Sequence, residues 1–198
     1  SSLARFAFVR QKEPKGAGDA LLQARHLIGQ EPVAVLYGDD LVDSKVPCLK
    51  QLISVFEKYQ APVLALEKMP KKELSKYGVI AGEKINPRTY RINGIVEKPK
   101  TAQAPSNMVS IGKYIITPEI LYHLTKVKPR QNKELYLTDA FQAYLAKGGK
   151  IYGYEFEGKR YDCGDKTGFL KAVVNFGLKH NEVGKEFKKH LHRVLKEI

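Results

Sequence analysis

The sequence predicts an α/β protein: a mixed, mostly parallel sheet flanked by helices, carrying an antiparallel insertion. Three observations lead there. Up to "APVLALEKM" (61–69), apolar runs of strand length alternate with helical stretches, a pattern that favours parallel strands joined by right-handed crossovers. From "YGVIAGEKI" (77–85) onward, short strand-like runs follow one another without a helix between them, as in antiparallel pairing. At 198 residues and 43% hydrophobic, the chain buries one substantial core rather than two, so a single domain is expected over 1–198.

In order, "FAFVR" (6–10) reads as a strand and runs into the charged loop "RQKEPKGAGDA" (10–20). A helix fits "GDALLQARHLI" (18–28), where Ala20, Leu21, Ala24, Leu27 and Ile28 share a face. "PVAVLY" (32–37) is short and nearly all apolar, as suits a strand buried on both faces of a parallel sheet. A helix over roughly 46–59 has Leu49, Leu52, Ile53 and Phe56 in phase, and "APVLALEKM" supplies the next strand. "YGVIAGEKI" and "YRINGIVEKP" (90–99) are short strands, with Asn93-Gly94 as a tight-turn signal. "MVSIGKYIIT" (108–117) is a strand stopped by Pro118, which opens a helix at its first position. The helix over "YLTDAFQAYLAKGG" (136–149) ends on a glycine cap, and "KIYGYEFEG" (150–158) is a further strand. "DKTGFLKAVVNFGLKH" (165–180) is helical, with Phe169, Ala172, Val173 and Phe176 on one face and Asp165 as its N-cap. Over 181–198, Phe187, Leu191, Leu195 and Ile198 recur at helical spacing, so the chain closes with an amphipathic helix whose basic face meets solvent.

The formal charge is +13, from 34 Lys and Arg against 21 Asp and Glu, and it calls for an anionic partner. Lysines are scattered along the chain without an Arg-rich arm or an RNA-reading aromatic motif, which favours a small phosphorylated ligand over nucleic acid. There is no run of about 18 apolar residues, so no membrane association is expected. Two cysteines, Cys48 and Cys163, make no disulfide framework, and a reducing cytoplasm is the simplest setting.

Several stretches carry groups able to do chemistry. In "VLYGDDLVD" (35–43), Asp39 and Asp40 follow an apolar strand, where open α/β sheets place ligands. A capping or turn role for the pair is equally open at this point. In "RYDCGDKTGF" (160–169), Asp162 is a second strand-end carboxylate, and two such groups converging on one cleft suit Mg²⁺, which takes oxygen ligands. In "GIVEKPK" (94–100), Pro99 biases Lys98 toward extended geometry, so that Glu97 and Lys98 project to opposite sides. A carboxylate for hydroxyls beside an ammonium for phosphate fits a phosphorylated sugar. In the loop after "FAFVR", the Gln11 amide offers a donor and an acceptor to a base edge, and Gly16 and Gly18 let backbone approach a planar ligand. The loop matches neither GxxxxGK[ST] nor GxGxxG.

The order of these stretches is more specific than any one of them. "RQKEPKGAGDA", "GDD", "YGVI", "VEKP", "SNMVSIGKYI", "LTDA" and "YDCG" together resemble the sugar-1-phosphate nucleotidylyltransferases across essentially the whole chain. Within them, the chain looks most like the bacterial uridylyl-transferring branch. The resemblance implies a Rossmann-like nucleotide-diphospho-sugar transferase fold, a dimer or tetramer, and a Mg²⁺-dependent, reversible reaction. In that reaction UTP and glucose 1-phosphate give UDP-glucose and pyrophosphate, by in-line attack on the α-phosphorus. It further implies that Gln11 and Gly16 bind the base and that Asp39 and Asp162 bind the metal. Asp40, Gly78 and Glu97 would meet the sugar, with Lys98 on its phosphate. A thymidylyl or other sugar nucleotidylyltransferase is the neighbouring alternative, and a non-catalytic nucleotide-sugar-binding module the next.

One family feature has no counterpart: the opening strand and "GxGTR"-type loop that wraps the triphosphate. Roughly 90 further residues with one or more strands are expected ahead of Ser1, from usual domain proportions. The 198-residue piece alone is expected not to form UDP-glucose.

Overall fold

The structure, a computed structural model, describes residues 4–197. Its elements are α1 (Ala17–Ile28), β1 (Val33–Leu36), β2 (Asp40–Asp43), α2 (Cys48–Tyr59), β3 (Val63–Lys68), β4 (Gly78–Lys84), β5 (Thr89–Glu97), β6 (Met108–Ile116), α3 (Pro118–Leu124), α4 (Leu137–Ala146), β7 (Ile151–Glu155), β8 (Lys159–Asp162), α5 (Lys166–Lys179) and α6 (Gly184–Glu197). They form two compact units, one of residues up to Leu36 with Cys48–Phe156, the other of Tyr37–Pro47 with residues from Glu157 on.

The first unit holds a six-stranded sheet in the order β1-β6-β3-β7-β5-β4, and β4 also pairs with β6. Five strands thereby close into a small barrel. One edge of β6 is shared, by β1 at Lys113–Ile116 and by β4 at Val109 and Ser110. Only β3 and β7 pair in parallel; every other ladder of this sheet is antiparallel. The expected mostly parallel sheet is therefore corrected. The reason is β6: β1 and β3 do run the same way, as the strand–helix alternation requires, but β6 lies between them and is antiparallel to both. Alternation reports the direction of successive strands, not the strand inserted later between them.

Burial follows this order. Val63, Leu64, Ala65 and Leu66 of β3 are all 0% exposed, as an unbroken apolar run with neighbours on both edges should be. β1, expected to be buried on both faces, instead alternates between half-buried and exposed positions, and Leu36 is 48% exposed. α2 packs on β3, β6 and β7, α4 packs on β5 and α3, and α1 lies on α3.

Two further expectations are corrected. "FAFVR" forms no ladder among the described residues; Phe8 is 95% exposed, so strand propensity without a partner edge yields no strand. Asn93-Gly94 is not a turn but lies inside β5. Ala81 pairs Gly94 while Gly82 pairs Ile92, leaving Asn93 as the extra residue of a bulge. The turn falls at Asn86-Pro87, where Asn86 and Thr89 exchange backbone hydrogen bonds at 3.2 and 3.3 Å and Pro87 presets the chain direction. α5 forms where its spacing predicts; of the residues on that face Ala172 is buried, while Phe169 is 52% exposed and Val173 46%.

The second unit pairs β2 with β8 in an antiparallel ladder backed by α5, on which α6 packs. Asp165 caps α5 as expected, accepting from the Gly168 N–H at 2.9 Å. Asp43 is bound by Lys179 and by Asn175 (3.0 Å), which ties β2 to α5. In α6 the expected amphipathic face holds through Phe187 against Gly177, while Leu195 stays exposed; Ile198 lies outside the described residues.

Candidate active site

Of the sugar-facing residues proposed from sequence, Gly78 and Glu97 meet where β4, β5 and the start of α4 converge, while Asp40 lies on β2. Gly78 opens β4 and pairs directly with Glu97, the last residue of β5. Thr138 lies in the first turn of α4, yet its hydroxyl makes no cap; it donates to Glu97 Oε2 at 2.9 Å. A Cβ on Gly78 would stand 3.0 Å from Thr138 Cγ2, 3.1 Å from Glu97 Oε2 and 3.1 Å from Ser110 Oγ. Glycine is what lets the strand, the carboxylate and the helix start approach one another.

Burial raises the Glu97 carboxyl above the ordinary glutamate range, opposed by the Thr138 hydrogen bond and by the charges of Lys98 and Arg130. Thr138 therefore favours the ionised form at a position where desolvation favours the neutral one.

Lys98 departs from its expected extended geometry. Its φ is +48°, in the left-handed region, and its N–H donates to Tyr77 O at 3.0 Å. Pro99 disfavours right-handed helical geometry at Lys98, and closing onto Tyr77 selects the left-handed turn, at about 1–2 kcal/mol for a non-glycine residue. As a result Glu97 and Lys98 do not diverge. Both reach the same short segment, Glu97 to Thr138 and the Lys98 ammonium to 5.1 Å from the Tyr136 ring centroid.

The loop that holds Gln11 and Gly16 is tied to that segment too. Gln11 Nε2 donates to Gly16 O at 3.2 Å and to Asp19 Oδ2 at 2.6 Å, closing the loop on itself. Gly16 has φ +88°, and Leu135 accepts from the Gly18 N–H at 2.9 Å while donating to Lys15 O at 2.8 Å. A Cβ on Gly16 or Gly18 would stand 2.8 or 2.7 Å from Leu135 O.

The carboxylates expected to hold metal form a second group, on the β2–β8 ladder. Asp40 and Asp162 are direct cross-strand partners, an arrangement that repels unless a cation intervenes. Arg160 intervenes: its guanidinium binds Asp40 Oδ1 and, through Nη2, Asp162 Oδ2 at 3.1 Å. The side chains of Arg160 and Asp40 are 5% and 7% exposed, so this ion pair is buried. Asp39 and Asp162 remain more accessible to a ligand. Backbone holds them together, since the Cys163 N–H donates to Asp39 O at 2.7 Å. A Cβ built on Gly164 would sit 2.9 Å from Asp39 Oδ2 and 3.2 Å from Asp162 Oδ1. The two oxygens thus flank one small space that glycine leaves open. An all-oxygen pair of this kind fits Mg²⁺, which takes one or two carboxylates and completes its shell with water and phosphate.

Comparison with known proteins identifies the family. The model of the nucleotidyl transferase family matches residues 3–177. The chain belongs to the nucleotidyl transferase family. Among curated relatives of this nucleotidyl transferase, a UTP–glucose-1-phosphate uridylyltransferase of Staphylococcus epidermidis is 40% identical over 188 residues, 95% of this chain and 65% of the relative. The chain thus spans about two-thirds of the length of the curated relatives it matches. A crystal structure of UDP-glucose pyrophosphorylase complexed with UDP-glucose superposes with a TM-score of 0.84 at 44% identity, covering 88% of this chain and 67% of that one. A UTP-bound UGPase from Acinetobacter baumannii gives a TM-score of 0.80 at 34% identity, over 92% of this chain and 64% of the other.

In this nucleotidyl transferase, sequence reasoning missed Arg160, Thr138 and Tyr136. Arg160 was within reach: two residues from Asp162 on one strand, it must share that face. Thr138 and Tyr136 sit beside Glu97 and Lys98 only through the packing of α4 on β5, which no local pattern announces.

Proposed function

We propose that the full protein forms UDP-glucose and pyrophosphate from UTP and glucose 1-phosphate, and that this chain supplies its sugar-, base- and metal-binding residues. The observation that carries the reading is the half-buried Glu97 carboxylate, oriented by Thr138 and flanked by the Lys98 ammonium. A charged acceptor with one oxygen already committed recognises sugar hydroxyls, while the ammonium neutralises the phosphate whose oxygen attacks the α-phosphorus. Gly78 brings backbone close to the hexose. Gln11 has its amide nitrogen engaged within the loop, which turns the carbonyl side of the amide toward a uracil imide N–H. Asp39 and Asp162 would hold Mg²⁺, which when bound would supply charge neutralisation on the triphosphate. Asp40, through Arg160, fixes the orientation of Asp162. Catalysis of this kind rests on positioning and electrostatics rather than on proton transfer. The homo-oligomeric state, dimer or tetramer, and a cytoplasmic setting belong to the same reading.

The test is pyrophosphate release by the full-length protein with glucose 1-phosphate, Mg²⁺ and a panel of nucleoside triphosphates. UTP should be preferred, and a preference for dTTP would move the protein to the thymidylyl branch. Glu97→Gln removes a charge-assisted hydrogen bond of about 1.5–3 kcal/mol, so kcat/KM for glucose 1-phosphate should fall about 10- to 100-fold. No pyrophosphate with any triphosphate would overturn the reading.

A further inference from the structure

Residues 128–136, between α3 and α4, deliver a second cation to the same place as Lys98. Arg130 closes a tight turn: its N–H donates to Glu134 O at 3.0 Å, and Lys133 donates back to Arg130 O at 2.8 Å. Its guanidinium lies 5.0 Å from the Tyr136 ring centroid, the ring that also receives the Lys98 ammonium at 5.1 Å. The ring is itself anchored, since Asn132 Nδ2 donates to the Tyr136 hydroxyl at 2.7 Å. Asp139, in the first turn of α4, grips the other edge of the guanidinium, accepting from Arg130 Nε at 2.9 Å and also from Nη2. The fork is thus used on one side only, and Nη1 makes no hydrogen bond among the described residues. The side chain is 42% exposed, so this remaining edge is open to a ligand. The charge also reaches the sugar-facing carboxylate: with Lys98, Arg130 lowers the proton affinity of Glu97 against the effect of burial.

We propose that Arg130 is a second phosphate-facing cation, acting beside Lys98 on the phosphate of the phosphorylated sugar. A sugar phosphate is a dianion at neutral pH, and one flexible ammonium neutralises only half of it. A guanidinium held by a carboxylate and stacked on an aromatic ring is preorganised, so it loses little freedom on binding. Tyr136 keeps the two cations apart while presenting both. The alternative is that Arg130 only steadies the start of α4 through Asp139.

This inference rests on the reading of glucose 1-phosphate as substrate, and the test separates the two. In the full-length protein, Arg130→Gln should raise KM for glucose 1-phosphate about tenfold, as loss of one charge-assisted hydrogen bond does. KM for UTP should change less than about twofold, since no second cation is withdrawn from the base-facing loop. Arg130→Lys keeps the charge but loses the fork, and should fall between the two. The melting temperature of each variant reports the structural alternative. An unchanged KM for glucose 1-phosphate in Arg130→Gln overturns the inference. So does a rise in both KM values that tracks a lowered melting temperature. If the unmodified protein neither turns over nor binds glucose 1-phosphate, the functional reading itself fails and the inference falls with it.

Discussion

Glu97 shows how one residue sets a pH dependence. Burial raises its carboxyl above the ordinary glutamate range, and the Thr138 hydroxyl, Lys98 and Arg130 pull it back. A raised carboxyl means that the folded chain holds this proton more tightly than the unfolded chain does. The associated stability is therefore present at low pH and is lost as pH rises through the raised value. Binding has the opposite need, because hydroxyl recognition requires the ionised form. The acid limb of kcat/KM for glucose 1-phosphate should consequently begin above the range of an ordinary glutamate. Thr138→Val, which removes the largest group favouring ionisation, should move that limb further up in a pH–rate profile. A limb that stays put would separate Glu97 from sugar recognition. Gly164 supports a second prediction. Its φ is not in the left-handed region, so Gly164→Ala adds only a methyl between Asp39 Oδ2 and Asp162 Oδ1. With contacts of 2.9 and 3.2 Å, the oxygens must move apart, and the Mg²⁺ concentration for half-maximal turnover should rise several-fold, the effect of about 1 kcal/mol.

The elements of the first unit owe their positions to a few backbone contacts between distant segments. Leu135 is one: through Lys15 and Gly18 it ties the base-facing loop to the start of α4, where Thr138 meets Glu97. Gly16→Ala must accommodate φ +88° and a Cβ 2.8 Å from Leu135 O, so it should destabilise the chain by about 1–3 kcal/mol in denaturant unfolding. It should also weaken UTP binding more than glucose 1-phosphate binding, because the clash lies on the loop side. Most helices and strands were legible because their apolar spacing repeats within each segment: α1, α2, α4 and β3 fall where periodicity predicts. "FAFVR" and Asn93-Gly94 misled for one reason. Strand propensity and turn signals express what a segment tolerates, and pairing decides what it does. Asn93 tolerates a turn as readily as a bulge, and Pro87 took the turn.

For the whole molecule, the chain spans about two-thirds of the length of its curated relatives. Light scattering on the full-length protein should give a dimer or tetramer. By itself the sequence determined most of the element types and the family, because these depend on local spacing and on the order of short motifs. Only the tertiary structure decided the antiparallel sheet order, the burial of Asp40 against Arg160, and the meeting of Tyr136 and Thr138 with Lys98 and Glu97. Each of those joins residues far apart in the chain, and a contact of that kind is set by how elements pack, which no local pattern encodes.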